Sequence, residues 1–330
     1  MRKVFVTLLA SMVNIIALGQ SMRQEADEFI AKMPENLQAK QEYAVREAIL
    51  GNTSLLEEVR ASRNAAPILP EGVAAIDIDG KYRLYSPETC SAGPMPVLVY
   101  LHGGGWCFGS INSCSSFCAA LALEAGMAVL AVEYPLAPEY PYPAALDCCL
   151  DALLFICDNA DRYRLDTAAV SIGGDSAGGN LAIATALKLI EVPGPVSLKS
   201  LVLFYPVLRA WNDDSPSWKE YSVGYGLDGT IMEAFNRAYV GNRNPETPLI
   251  SPLCADEASL ALLPPTLIIN AERDILCAQG EDMFQILKKS GVHVRREVFD
   301  GAVHLFITVK GQPTAFSRTI ESTAGFLKTN

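Results

Sequence analysis

Residues 173–179 read Gly-Gly-Asp-Ser-Ala-Gly-Gly, between the apolar run 168–172 and a helix-forming stretch over 180–190. Within it, Gly174-Asp175-Ser176-Ala177-Gly178 is a G-x-S-x-G elbow, which exposes a serine hydroxyl on a sharp strand-to-helix turn. A nucleophile on such a turn needs strained dihedrals, and small neighbours let strand and helix approach closely. The helix behind Ser176 aims free N–H groups and its positive dipole end at the place where an oxyanion would form. Alone the motif is weak, because Gly and Ser are common in loops. A second motif supports it: His102-Gly103-Gly104-Gly105-Trp106 directly follows the apolar run 97–101. Three glycines at the C-terminal end of a strand leave backbone N–H groups uncovered. Gly104 and Gly105 thereby join Ala177 as candidate oxyanion donors, each such donor typically contributing roughly 2.7–4 kcal/mol in the transition state. The bland alternative is a flexible glycine turn beside a structural His102.

A serine nucleophile needs a base, and the chain has three histidines. Elbow and glycine loop occur together in the α/β-hydrolase fold, where the triad runs Ser, then Asp or Glu, then His. His102 precedes Ser176 and belongs to the glycine loop. His293 lies in Gly-Val-His-Val-Arg-Arg-Glu-Val, whose alternation reads as a strand with His293 on one face. His304, in Asp-Gly-Ala-Val-His-Leu-Phe after that strand and ahead of the last helical stretch, is the candidate base. The acid should follow another strand. The run 266–270 leads into Ala-Glu-Arg-Asp, so Asp274 is the first choice, Glu272 the second, and Asp282 reads as a helix surface charge. His304 would then take the Ser176 proton while Asp274 orients the imidazole and stabilises its cation.

Taken together, these motifs resemble the hormone-sensitive-lipase-like (family IV) esterases, in the group marked by Gly-Asp-Ser-Ala-Gly. The resemblance runs from about Val73 to the C-terminus. It includes Glu133-Tyr-Pro-Leu-Ala-Pro-Glu139, Pro141-Tyr-Pro-Ala-Ala-Leu-Asp147 and Leu263-Pro-Pro-Thr-Leu besides the glycine loop, the elbow and the His304 turn. It implies an α/β-hydrolase fold with a mostly parallel sheet, helices on both faces and a helical cap. It also implies a serine carboxylesterase acting on short-chain, acetyl-type esters through an acyl-Ser176 intermediate, without a cofactor. This chain departs from the family at Pro135, where an arginine is common, at Asp274-Ile-Leu, and at His304-Leu-Phe306. These changes bear on substrate shape and leave the triad and the oxyanion donors in place. Two other readings share the scaffold. One is an arylformamidase-like amide hydrolase, which also carries His-Gly-Gly-x-Trp. The other is a non-catalytic ligand receptor, against which the presence of His304 speaks.

The elements that must position these groups follow from periodicity. Residues 73–85 read as a hairpin about Asp79-Gly80. Strands are expected near 96–101, 128–134, 168–174, 200–206, 266–272 and 294–299, with helices near 111–125, 143–159, 178–191, 279–290 and 312–327. Such alternation implies a parallel sheet covered on both faces, with the chemistry on loops at the strand C-termini. Residues 71–330 would form the catalytic domain, and 20–70, charged and helix-prone, one part of the cap. The insertion at about 207–253 would be its other part. Trp106, Tyr221 and Tyr225 are candidate substrate contacts, Trp218 reads as core of the cap, and Tyr134 with the prolines after it as a supporting loop.

Composition limits the partners. A net charge of −11 and a pI near 4.9 oppose nucleic acid and anionic membrane surfaces. No metal-ligand cluster stands out, and a small-molecule ester is the expected partner, with a homodimer left open. Met1-Arg2-Lys3, the apolar run 4–18 and a small-residue site at 17–19 predict a signal peptide over residues 1–19, too short to span a membrane comfortably. The protein would then be secreted or periplasmic, or cytoplasmic if translation starts at Met22. Nine cysteines, an odd number without framework spacing, mildly favour a reducing compartment; Cys114, Cys118, Cys148, Cys149 and Cys157 read as small core residues, while Cys107 and Cys277 flank the proposed oxyanion and acid loops.

Overall fold

A computed structural model describes residues 21–89, 93–194 and 196–330; the expected leader over 1–19 lies outside them. The hairpin forms from β1 (Val73–Ile78) and β2 (Tyr82–Pro87). Asp79 and Gly80 both take positive φ, 52° and 65°, as the tight turn between twisted antiparallel strands requires. Strands β3 (Met95–Leu101), β4 (Ala128–Val132), β5 (Leu165–Asp175), β6 (Leu198–Phe204), β7 (Thr266–Arg273) and β8 (Val294–Val303) complete an eight-stranded sheet. Its order is β1-β2-β4-β3-β5-β6-β7-β8, antiparallel at β1/β2/β4 and parallel from β4 to β8. His293 sits just ahead of β8, contrary to the strand placement read from its alternating neighbours. It is exposed, with Nδ1 3.0 Å from Asn330 Oδ1. The residue-by-residue register with β7 begins at Val294, opposite Thr266, and His293 contributes only its carbonyl, which accepts the Thr266 N–H at 2.9 Å.

Alternation along the strands separates two apolar layers. On β3, Val97, Val99 and Leu101 join one cluster, while Leu98 and Tyr100 join the other. The first layer takes α5 (Ala144–Tyr163), α6 (Ala177–Glu191) and α10 (Cys277–Lys289), with Leu153, Leu181 and Met283 among its members. The second takes α4 (Ser115–Ala125) and α11 (Pro313–Thr329), through Phe117, Leu121 and Phe326. On α5 the buried Ala145, Leu146, Cys149, Ala152, Leu153 and Ile156 recur at helical spacing, which makes the cysteine a small core residue. The eight described cysteines are free thiols.

Above the strand C-termini lie the helix over 21–31 (α1), α2 (Leu37–Ile49) and α3 (Ser54–Arg63), with α7 (Pro216–Tyr221) and α8 (Gly229–Val240) from the insertion. A single turn, α9 (Glu257–Leu260), precedes β7. The N-terminal helices and the 207–253 segment meet where Gln38 Nε2 donates to the Gly226 carbonyl at 2.7 Å. Helix α1 docks on the sheet end through Ala26 and Phe29 against Val303, with an Asp27–Arg273 ion pair at 2.6 Å. Among the described residues no helix is long and apolar enough to cross a membrane.

Candidate active site

Strand β5 ends at Asp175 and α6 begins at Ala177, so Ser176 alone makes the turn, with φ 55° and ψ −116°. The conformation is held from both sides: Ser176 N–H donates to the Phe204 carbonyl at 2.9 Å, and its own carbonyl accepts the Asn180 N–H at 3.1 Å. Closeness explains the glycines. A Cβ on Gly178 would stand 1.9 Å from the Leu101 carbonyl oxygen, and one on Gly174 2.3 Å from the same atom. The elbow is thus pressed against the end of β3, where the glycine loop begins.

Ser176 Oγ lies 3.1 Å from His304 Nε2, and His304 Nδ1 lies 2.6 Å from Asp274 Oδ2. Serine, imidazole and carboxylate are buried, so their interactions are little screened by water. Asp274 Oδ1 accepts the Leu276 N–H at 3.0 Å, which fixes the carboxylate plane. The second-choice acid, Glu272, is occupied elsewhere, accepting the Gly301 N–H at 2.6 Å and pairing with Arg23 at 2.9 Å. Asp282 pairs with Arg209 at 2.8 Å on the surface of α10.

Two residues that position His304 carried no readable signal. Tyr205 lays its ring 4.4 Å from the imidazole and accepts the Ile307 N–H at 3.2 Å through its hydroxyl. Gln312 brackets the turn, accepting the Val303 N–H at 3.0 Å and donating to the Val303 and His304 carbonyls at 3.1 Å. Neither residue type announces itself, since one reads as core and the other as helix lead-in.

The glycine loop folds back on itself. Gly104 and Gly105 take φ 120° and 60°, and the Gly104 carbonyl accepts N–H groups from Cys107 at 3.1 Å and Phe108 at 2.8 Å. Among the described residues, the N–H groups of Gly104 and Gly105 have no acceptor of their own. Ala177 N–H is at the first position of α6, ahead of any intrahelical partner. His102 is buried, stacked 4.1 Å from Tyr134, whose hydroxyl donates to the His102 carbonyl at 2.5 Å. Burial pushes its imidazole down to about 4, so it is neutral at pH 7. Asp175 accepts the Gly103 N–H at 3.0 Å and the Tyr100 hydroxyl at 2.8 Å. Burial pushes its carboxyl up to about 6 despite those two donors.

The three aromatic candidates fall away from the cavity. Trp106 is fully buried, its ring stacked 4.2 Å from Tyr239 at 3°, because a positive φ of 58° turns it under the loop. Tyr221 and Tyr225 meet edge-to-face at 5.0 Å, and Tyr225 also packs against Arg273. The cavity itself, about 510 Å³, lies between Gly103 and Gly104 on one side and α1–α3 on the other, with Leu305 and Val309 completing the wall. That is the size range of small-molecule sites.

Residues 98–308 match a family model described as alpha/beta hydrolase fold. A protein of Acanthamoeba polyphaga mimivirus, named as an alpha/beta hydrolase, is 36% identical over 214 residues, which are 64% of this chain and 61% of that protein. An ethyl acetate hydrolase from Pseudomonas putida is 35% identical over 229 residues, 68% of this chain and 70% of its own. The match thus spans less than two thirds of the viral protein's length. Among solved structures, a hyperthermophilic esterase from the archaeon Pyrobaculum calidifontis superposes with a TM-score of 0.73 at 31% identity, covering 86% of this chain and 96% of that one.

Proposed function

The chain belongs to the alpha/beta hydrolase family, and on that premise we propose that it is a serine carboxylesterase acting on short-chain carboxylic esters. The observation that carries this reading is the buried line Ser176 Oγ, His304 Nε2, His304 Nδ1, Asp274 Oδ2, with steps of 3.1 Å and 2.6 Å. Similarity to an ethyl acetate hydrolase supports the short acyl chain. Ser176 Oγ attacks the ester carbonyl as His304 Nε2 takes its proton, and the oxyanion settles against the N–H groups of Gly104, Gly105 and Ala177. Collapse expels the alcohol, protonated by His304, and leaves the acyl group on Ser176. Water then repeats the sequence and releases the acid, with Asp274 stabilising the imidazolium in both halves.

The purified protein should hydrolyse p-nitrophenyl acetate and butyrate, with loss of about 10⁴-fold or more in kcat on Ser176→Ala. Equal rates for wild type and variant would overturn the reading. Including N-formylkynurenine in the panel tests the amide-hydrolase alternative, which would gain if that compound were cleaved faster than the esters.

A further inference from the structure

The cavity beside the glycine loop runs against the charge of the chain as a whole. In a protein of net charge −11, its lining includes Lys32, Arg63 and Lys310 and, among the described residues, no carboxylate. Lys32 and Lys310 stand at the exposed rim, and Lys32 shares its charge with exposed Glu28 at 3.6 Å. Arg63 is different. It is half-buried, and among the described residues no carboxylate lies within ion-pair distance; its guanidinium is set over the Phe108 ring, 5.4 Å from the centroid. Phe108 donates its N–H to the Gly104 carbonyl at 2.8 Å, so one side chain separates this cation from the proposed oxyanion donors. Partial burial draws the Arg63 pKa below its ordinary value, yet arginine remains protonated at neutral pH. A charge held partly out of water without a counter-ion is costly, and a bound anion would offset that cost.

The remaining polar side chains of this wall include two neutral amides. Gln38 Nε2 is committed to the Gly226 carbonyl at 2.7 Å, while its Oε1 is buried with no partner. Gln38 lines the cavity, as does Gln41, which is itself buried.

We propose that this cavity selects esters that carry a carboxylate, with the Arg63 guanidinium taking that carboxylate and Lys310 and Lys32 steering it in. The planar fork of a guanidinium matches a carboxylate through two parallel N–H bonds, a geometry that a neutral amide does not reproduce. The recognised carboxylate is a bystander to the chemistry: water cleaves the ester to acid and alcohol, and the anion leaves on one product unchanged. Turnover of such substrates rests on the esterase reading of Ser176, whereas binding does not.

Two matched pairs test this, one with the anion on the acyl side and one with it on the alcohol side. They are monoethyl succinate against ethyl succinamate, and 3-acetoxypropanoate against 3-acetoxypropanamide. In at least one pair the carboxylate should be preferred in kcat/KM by roughly tenfold or more, as expected for a hydrogen-bonded charge pair partly out of water. Arg63→Gln should bring that ratio close to one, and Arg63→Lys should keep part of it. Lys199→Gln, which removes the same charge from an exposed position elsewhere, should leave the ratio unchanged. Equal or better cleavage of both amides by the wild type would overturn the proposal, as would a preference that survives Arg63→Gln. If no ester of any kind is hydrolysed, the esterase reading fails and the cavity is tested separately. Calorimetry with succinate and 3-hydroxypropanoate should then show binding to the wild type and at least tenfold weaker binding to Arg63→Gln, and equal affinities would sink it.

Discussion

Asp175 accepts the Gly103 N–H at 3.0 Å, so the residue before Ser176 also holds the first glycine of the loop that faces it. The bond is possible because β3 and β5 are neighbours in parallel register, with Leu101 opposite Gly174. Elbow and loop therefore leave the sheet at the same height. Asp175→Ala would leave the Gly103 N–H and the Tyr100 hydroxyl buried without an acceptor, at a cost of about 1–3 kcal/mol each. The loop would also be freed to shift, which predicts a fall in kcat of roughly 10²-fold with KM less affected. Steady-state kinetics beside urea melts distinguish the two effects, and unchanged kcat in a folded variant would remove Asp175 from any positioning role.

The same carboxyl predicts a pH signature. With its folded pKa up at about 6, Asp175 favours the folded state fully below pH about 4, and this contribution is lost as pH rises through about 6. His102, pushed down to about 4, does the opposite: its contribution is present above about 6.5 and lost as pH falls through about 4. The two nearly offset each other in the wild type. In Asp175→Asn only one remains, so wild-type stability minus variant stability should drop by about 3 kcal/mol between pH 4 and 7. A difference that stays constant across that window would count against an ionisable Asp175 in the core.

Asp274→Asn keeps the shape of the acid but would hold His304 in the wrong tautomer. A kcat loss of about 10⁴-fold is expected, with little change in melting temperature. Retention of more than a tenth of wild-type activity would assign the acid role to another carboxylate.

Gly105→Ala tests the proposed oxyanion donors. At φ 60° its Cβ would stand 2.2 Å from the Phe235 ring, so the loop must move or α8 must. Loss of one N–H from the hole predicts a kcat lower by 10²–10³-fold on any ester, roughly the worth of a single donor. Acylation measured by single-turnover burst would read it directly.

Gly301→Ala tests the docking of α1. Its φ is 80°, and an added Cβ would meet Arg23 Cβ at 2.4 Å, so the helix should lift from the end of β8 that leads to His304. Faster proteolytic cleavage within residues 21–36 and a raised KM are expected together. A rise in KM without any change in cleavage would mean that the helix stays docked.

Much of this architecture is legible in the sequence alone, for identifiable reasons. Strands such as 97–101 and 266–270 are continuous apolar runs because both faces of the sheet are covered, and that makes them stand out. Ser176 and Asp274 follow such runs and His304 follows the alternating strand β8, where an order-of-residues argument can reach them. Side-chain direction was not legible. Trp106 follows the glycine loop immediately, and nothing in Gly-Gly-Gly-Trp says that φ will be positive there and send the indole under the loop toward Tyr239, far along the chain. Tyr205 and Gln312 likewise act through partners distant in sequence or through backbone groups. Lys32, Arg63 and Lys310 reach one cavity from three separate segments, so no spacing rule could have grouped them.

The cavity's two walls differ in what they can tolerate. Its near wall is glycine backbone with no space for even a methyl group: an added Cβ would meet Asp175 Oδ2 at 2.3 Å on Gly103 and the Phe108 carbonyl oxygen at 2.5 Å on Gly104. Its far wall is made of side chains on α1–α3, whose exposed positions have room to vary. Heritable variation is therefore unequally open on the two sides. Substitutions in the helices can change which molecule is admitted while the glycine backbone stays fixed, and those in Gly103 or Gly104 would displace that backbone itself. A chain built this way can acquire a new diet in a few steps, through a segment that touches none of the bonds being broken.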